Sequence, residues 1–444
     1  MTIDRRALFG GWLERLTLAP IDPSDPSEDR YVPLQEAGRG AVNEIFSRLD
    51  LSIGATTQLL SGPSGSGKTT ELYRLKGLLE DTGFTVVLID MLQFVNESTA
   101  IDPIKFLIAL GLGVGNELLP VGERAQRGFA RRFREFLARA NVSIAAGPLE
   151  AHVSAERVEV AAAGLSVAVD LERELKNSEP FVAELRTKLA FQLGNLYDEV
   201  AAFLKSLVAQ DRQRRPDGRG VVVIVDSLEK VRGVADHDEL VQTSVQELFV
   251  HHSAKLRFNS HHTVYTVPPY LLFTAPGALA YDGGVRPVPI PQVRRRQGQS
   301  LEPNAETIAE MVEIVARRIP WEQLFKDSLL LERVILESGG HLRDLCEILQ
   351  EIVTLAYSRG VDPPVDRVHV DEAIANVAHG FSNPTQESAE LMRRVHRQHG
   401  RIEPRADEVA MLARLMHTHM LLAHCNAHDR YEVHPLAQRA LGLA

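Results

Sequence analysis

Eight residues constrain this chain more than any others: Gly62-Pro-Ser-Gly-Ser-Gly67-Lys68-Thr69. The spacing G-x-x-x-x-G-K-[ST] puts glycines where the backbone must take positive φ. Successive N–H groups then point inward at an anion, with a lysine and a hydroxyl at the end of the turn. The flanks agree. Thr57–Leu60 is a short strand-like run, and Leu72, Leu75, Leu78 and Leu79 recur at helical spacing, so the loop lies between a strand and a helix N-terminus. The helix is expected to stop near Asp81-Thr-Gly83, and the apolar run Phe84–Asp90 reads as a buried parallel strand. Strand, loop, helix and strand in this order begin a doubly wound α/β sheet with a right-handed crossover. Gly62, Pro63, Ser64, Gly65, Ser66, Gly67, Lys68, Thr69 and Thr70 are therefore the candidate phosphate site.

A phosphate held this way carries a metal ion, commonly Mg2+, which Thr69 ligates on one side and a carboxylate at the end of another buried strand on the other. Val221–Asp226 supplies that strand: five β-branched residues ending in Asp226. Ser227 follows, and Glu229 comes three positions after Asp226, where a carboxylate can orient an attacking water. The alternative for Glu229 is a surface residue at a helix start beside Lys230. Thr263–Pro269 reads as a further core strand whose Thr266 hydroxyl can sense an outer phosphate, and Val285–Val293 as a proline-rich edge strand.

Asp226 comes 158 positions after Lys68, far more than one crossover needs, so an element is inserted over about 112–210. Glu123–Ala140 carries Phe129, Phe133, Phe136 and Leu137 on one helical face, with Arg124, Arg127, Arg131, Arg132, Arg134 and Arg139 around it. The arginines read as a solvated face rather than a nucleic-acid surface. Asn141–Val169 alternates in short β-like pieces about a Gly147-Pro148 turn, and a long helix is expected from about Glu179 to Gln210.

From Asn304 the pattern stays helical. Ser338-Gly-Gly-His-Leu-Arg343-Asp-Leu marks a helix stop and restart that puts Arg343 in the first turn of the next helix, where it can report on phosphates. Arg317 and Arg318 are candidates for an arginine offered to a neighbouring subunit, against the simpler reading as partners of a helix C-terminus. Beyond about His379, helical spacing, a short β-like piece and a terminal helix suggest a winged helix. His396, His399, His417, His419, His424, His428 and His434 fall here, without carboxylate or thiolate companions at ligand spacing, so no metal site is expected of them.

The chain thus divides into an N-terminal segment (1–55), an α/β core (56–300), a helical lid (301–378) and a winged-helix-like domain (379–444). Acidic residues outnumber basic ones, 59 to 49, for a net charge of −10, which disfavours coating of nucleic acid. Cys346 and Cys425 are far apart and fit neither a disulfide framework nor a thiolate metal site. No run approaches the ~18 apolar residues that span a bilayer, and a cytoplasmic setting is expected.

The phrases SGPSGSGKTTEL, VDSLEK, TVPP and SGGHLRDL, with a terminal winged helix, resemble the AAA+ and STAND (NACHT-like) branch of bacterial P-loop ATPases. The resemblance implies a doubly wound parallel sheet with an inserted hairpin and helix element, followed by an all-helical lid and a winged helix. It further implies that Lys68 and Thr69 bind the phosphates and Mg2+ of ATP. Asp226 would hold Mg2+, Glu229 would be the acidic partner, Thr266 the first sensor and Arg343 the second. Gly38-Arg39 is similar to the entry that lies against adenine. Ser227 stands where AAA+ enzymes usually place Glu, and no arginine follows the Thr266 strand, so slow or partner-dependent hydrolysis is expected. Members on the STAND side link nucleotide state to assembly, several of them in bacterial defence or signalling. The expected function is an ATP-dependent switch or motor acting through further copies of itself or a separate effector protein. The competing readings are a nucleotide-regulated DNA-binding regulator and, more remotely, a small-molecule kinase.

Overall fold

The computed structural model describes residues 4–34, 39–120, 123–124, 128–140, 142, 160–231, 238–274, 281–297, 300–424 and 431–443. The chain forms two compact units, one of Ile45–Leu60 and Lys76–Arg286, the other of Met1–Glu44, Ser61–Leu75 and Pro287–Ala444. In chain order the elements used below are helices α1 (Arg5–Arg15) and α2 (Arg39–Leu51), strand β1 (Thr57–Ser61), α3 (Lys68–Asp81), β2 (Phe84–Asp90), α4 (Pro103–Leu118), α5 (Phe129–Arg139), α6 (Val160–Asn177), α7 (Glu179–Leu189), α8 (Leu193–Arg214), β3 (Gly220–Asp226), β4 (His262–Val267) and β5 (Val285–Pro287). The second half adds the β6–β7 hairpin (Arg294–Gln297, Ser300–Pro303), α9 (Ala305–Ala316), α10 (Ser328–Glu337), α11 (Leu342–Ser358), α12 (Arg367–Ala378), α13 (Gln386–Arg397), α14 (Val409–His417), the β8–β9 hairpin (Leu421–Ala423, Tyr431–Val433) and α15 (Pro435–Ala440).

A five-stranded sheet of order β2-β3-β4-β1-β5 forms the α/β architecture read from the sequence. β2 and β3 pair in parallel from Phe84↔Gly220 to Asp90↔Asp226, and β3 and β4 from Val222↔His262 to Val225↔Tyr265. The β-branched run Val221–Val225 is buried throughout, as both faces of a parallel strand require. β4 is buried along its whole length and sits between β3 and β1, so the strand bearing Thr266 neighbours the one that enters the glycine loop. At the edge, β5 is three residues rather than the nine expected, because Pro287, Pro289 and Pro291 remove the N–H groups a ladder needs.

The insertion differs from the sequence reading. Residues 160–169 belong to α6 and are not β-like pieces. Alanine has the highest helix propensity, and α6 buries Leu171 and Leu175 at i,i+4 spacing. The expected hairpin around Gly147-Pro148 lies outside the described residues. The long helix after Glu179 is broken at Ala190–Gln192 into α7 and α8. α4 is buried over Ile104–Gly115 and uses glycine for close packing: a Cβ on Gly111 would stand 2.8 Å from the Phe129 ring, and one on Gly113 2.9 Å from Ile89. Phe129 in turn packs on Phe203, ring centroids 5.3 Å apart. Around α5 the arginines meet acids: Arg131 pairs with Glu135, while Arg132 and Arg139 share Glu199. That is the solvated face the sequence suggested.

In the other unit, α9 to α12 form the helical segment expected of a lid, each burying one apolar face. After it come α13, α14, the antiparallel β8–β9 hairpin and α15, in the order read from the sequence. Among the described residues no helix is long and apolar enough to cross a membrane.

Candidate functional site

The glycine loop takes the backbone its sequence demands. Gly62, Gly65 and Gly67 have φ of 155°, 77° and 89°. Two of them are also places of close approach: a Cβ on Gly62 would stand 2.7 Å from the Val288 carbonyl oxygen, and one on Gly65 2.6 Å from His341 Cε1. Lys68, 3% exposed, begins α3 and turns back to donate to the Pro63 carbonyl at 2.6 Å, so its charge sits over its own loop. The unsatisfied N–H groups of the α3 N-terminus add to the pull on an anion. Thr69 and Thr70 are half-buried in the same first turn.

The first turn of α11 packs on this loop. His341 caps the helix, and its Nε2 lies 2.7 Å from the Ser64 carbonyl oxygen. Arg343 Cβ lies 3.0 Å from where a Cβ on Gly65 would be, and Leu342 lies against Gly67. The sequence places Arg343 in the first turn of a restarted helix, and α11 begins at Leu342. The sequence reading did not find His341, although the residue stands in the same Gly-Gly-His-Leu-Arg phrase.

A cavity opens from Ser66, Gly67 and Thr70 toward Ile21, Tyr31 and Leu34. Tyr31 donates its hydroxyl to Glu71 Oε1 at 2.8 Å, and Arg74 Nε holds Glu71 Oε2 at 2.8 Å, which fixes a carboxylate in the first turn after the loop. The wall opposite includes Ile314 and Arg318. Arg318 donates to the carbonyls of Arg30 and Ile314 and has its pKa lowered by burial, so it lines this cavity rather than presenting itself to another subunit. Arg317 is exposed and pairs with Glu313 one turn back, the simpler of the two readings given above. Gly38 and the Arg39 side chain lie outside the described residues, although Arg39 begins α2. The segment Arg30–Leu34, which sequence reasoning missed, has no periodicity that could have flagged it.

In the sheet unit, Asp226 and Glu229 are both buried, 1% and 5% exposed, which removes the surface reading of Glu229. Ser227 between them adopts φ 72°, a left-handed conformation uncommon for a side-chain-bearing residue, and the chain then turns into a short 3-10 helix, Leu228–Lys230. Thr266 is fully buried. Its hydroxyl accepts from the Leu228 N–H at 3.2 Å and reaches the Val225 carbonyl at 3.4 Å, so it braces the turn that carries Glu229.

No family model and no curated protein matches the chain. Solved structures similar to it include the Aeropyrum pernix ORC2 protein in ADPNP–ADP complexes (14% identity, TM-score 0.39, 96% of each chain). The Aeropyrum pernix ORC1 protein in complex with DNA aligns at 11% identity and TM-score 0.39, covering 97% of this chain and 96% of that one. A Thermotoga maritima RuvB T158V variant aligns at 11% and 0.33, covering 91% and 95%. Likenesses of this size leave the function to be argued from the chain's own loop, sheet and lid.

Proposed function

We propose that the chain binds ATP with Mg2+ and hydrolyses it slowly, as a nucleotide-controlled switch of the AAA+/STAND kind whose output goes through assembly or a separate effector. The observation that carries this reading is the packing of the α11 first turn, His341 to Arg343, on the loop residues Ser64, Gly65 and Gly67. A switch needs a contact whose strength differs between nucleotide states, and an arginine beginning a helix that rests on the phosphate loop supplies one.

Thr69 carries a hydroxyl and Asp226 a buried carboxylate, each a hard oxygen donor of the kind Mg2+ takes; these residues would hold the ion, which would neutralise phosphate charge during transfer to water. Glu229 orients the attacking water, and Tyr31 with Leu34 supplies the wall against the base. The C-terminal segment is assigned as a winged helix that carries the response outward. A DNA-reading role for the basic helix α5 is not favoured, because Arg131, Arg132 and Arg139 are taken up by Glu135 and Glu199.

The test is ATP turnover against protein concentration for the wild type and Glu229→Gln, with ATP binding measured for Lys68→Ala. Turnover per chain that rises with concentration and collapses in Glu229→Gln, with binding lost in Lys68→Ala, supports an assembling ATPase. Binding that survives Lys68→Ala unchanged would sink the reading.

A further inference from the structure

We infer that His341, Asp344 and His419 form a binding site for one divalent transition-metal ion, with Zn2+ the best match, which clamps the C-terminal segment to the α11 turn that holds the phosphate loop. The three ligand atoms lie within 4.8 Å of one another, with His341 and Asp344 buried and His419 nearly so. Asp344 Oδ2 is 2.9 Å from His341 Nδ1, and Asp344 Oδ1 is 3.1 Å from His419 Nδ1. This site shares no residue with the proposed Mg2+ ligands and does not depend on what the loop binds.

His341 is held in place by its outer nitrogen. A carbonyl oxygen can only accept, so His341 Nε2, 2.7 Å from the Ser64 oxygen, carries that ring's proton. In the neutral ring Nδ1 is the acceptor: it takes the Asp344 N–H at 3.4 Å as the cap of α11 and lies 2.9 Å from Asp344 Oδ2, which has no hydrogen-bond partner of its own, so an ion bound by both would satisfy the carboxylate. An imidazole that gives its outer N–H to a backbone carbonyl and turns its other nitrogen inward is the usual posture of a metal ligand. The imidazoles of His341 and His419 lie 3.9 Å apart by ring centroid, close enough for a nitrogen of each to reach one ion.

Two further features fit. His434 Nδ1 accepts from the Leu436 N–H at 3.1 Å, so its Nε2 carries the proton. That Nε2 lies 3.1 Å from Asp344 Oδ2, at an angle outside hydrogen-bond geometry, and backs the carboxylate as an outer-shell group does. His419 sits at φ 60° between α14 and β8, a strained backbone that turns its ring inward. Two imidazoles and a carboxylate are a ligand set Zn2+ accepts, with a fourth position left for water.

The experiment uses the full chain, stripped with chelator and free of nucleotide. It is titrated with ZnCl2 in competition with a chromogenic chelator, and separately with CoCl2 to read the ligand-field spectrum. The expected result is one ion per chain, a tetrahedral Co2+ spectrum, and affinity reduced at least ~10-fold in Asp344→Asn and His419→Gln. His251→Gln, in the other unit, and Lys68→Ala should bind as wild type. A wild-type chain that takes up no stoichiometric Zn2+ overturns the proposal whatever the variants do. Equal affinity in His419→Gln, whose turn position makes it the variant least prone to misfold, overturns it as well.

Discussion

His341 donates its Nε2 proton to the Ser64 carbonyl across 2.7 Å, so a residue of the lid-like helical segment closes on the third position of the phosphate loop. The contact is possible because Gly65, next in the loop, has no side chain: a Cβ there would stand 2.6 Å from His341 Cε1. Gly65→Ala therefore has two costs, a left-handed φ of 77° for an L side chain, ~1–2 kcal/mol, and displacement of the α11 turn. ATP affinity should fall at least ~10-fold, measured by calorimetry. His341→Ala in the Gly65→Ala background should cost little more, because both changes break the same contact. Additive losses would show that the two residues act separately.

Ser227 explains why the expected Glu is missing after the strand aspartate. At φ 72° and 1% exposure, a longer side chain there would be buried on a left-handed backbone. Ser227→Glu is expected not to raise ATP turnover and to destabilise the chain by ~2 kcal/mol, from burial of an added polar group. Ser227→Gly should lie within ~1 kcal/mol of wild type, since relief of backbone strain is offset by the freedom glycine adds to the unfolded chain. Urea midpoints and steady-state turnover decide both points. Faster hydrolysis by Ser227→Glu would mean that the turn can rearrange and that Glu229 is not the acidic partner.

Gly111 reports on the insertion. Alanine in a helix interior normally gains ~1 kcal/mol over glycine, but here the new methyl would stand 2.8 Å from three atoms of the Phe129 ring. Overpacking of this kind costs ~1–3 kcal/mol, so Gly111→Ala should be net destabilising. Phe129→Leu, which removes the ring, should restore part of the loss in the double variant. A stabilised Gly111→Ala would show that α4 and α5 are not packed as described.

What could be read in the sequence were features with local periodicity or fixed spacing. The glycine loop and β1 to β4 announce themselves within ten residues each, because positive φ and parallel burial each demand particular residue types. After residue 400 a helix, one short β-like piece and a terminal helix were legible for the same reason, while β8 was hidden at the end of the helical spacing. The cavity wall formed by Tyr31 and Leu34 was not, since an irregular segment that meets Glu71 forty positions later leaves no pattern. Nor was the meeting of Asp344 with His419 and His434: a search for companions at ligand spacing cannot see a carboxylate 75 residues upstream on another element. Residues 160–169 misled because short apolar alternations fit a strand and a helix equally, while the helix continues into Leu171 and Leu175, buried one turn apart.

His261 gives the sheet unit a defined acid sensitivity. Burial, and then the neighbouring His262, lower its pKa from the ordinary 6.5 to about 4. The ring is 3% exposed and stacks on Phe258 with centroids 5.3 Å apart. The folded pKa is below the unfolded one, so above about pH 6.5 both states hold His261 neutral and stability is complete. As pH falls from 6.5 toward 4 the unfolded chain takes up the proton first, and stability is lost across that window by up to ~3 kcal/mol. His261→Phe keeps an aromatic ring on Phe258 and removes the titration. Its urea unfolding free energy, followed from pH 7.5 to 4.5, should decline less steeply than that of wild type, with the difference between the two curves growing below pH 6.5. Other groups titrate in both proteins and cancel in that difference. Parallel curves would mean that the ring is protonated inside the fold and that the packing around Phe258 admits water.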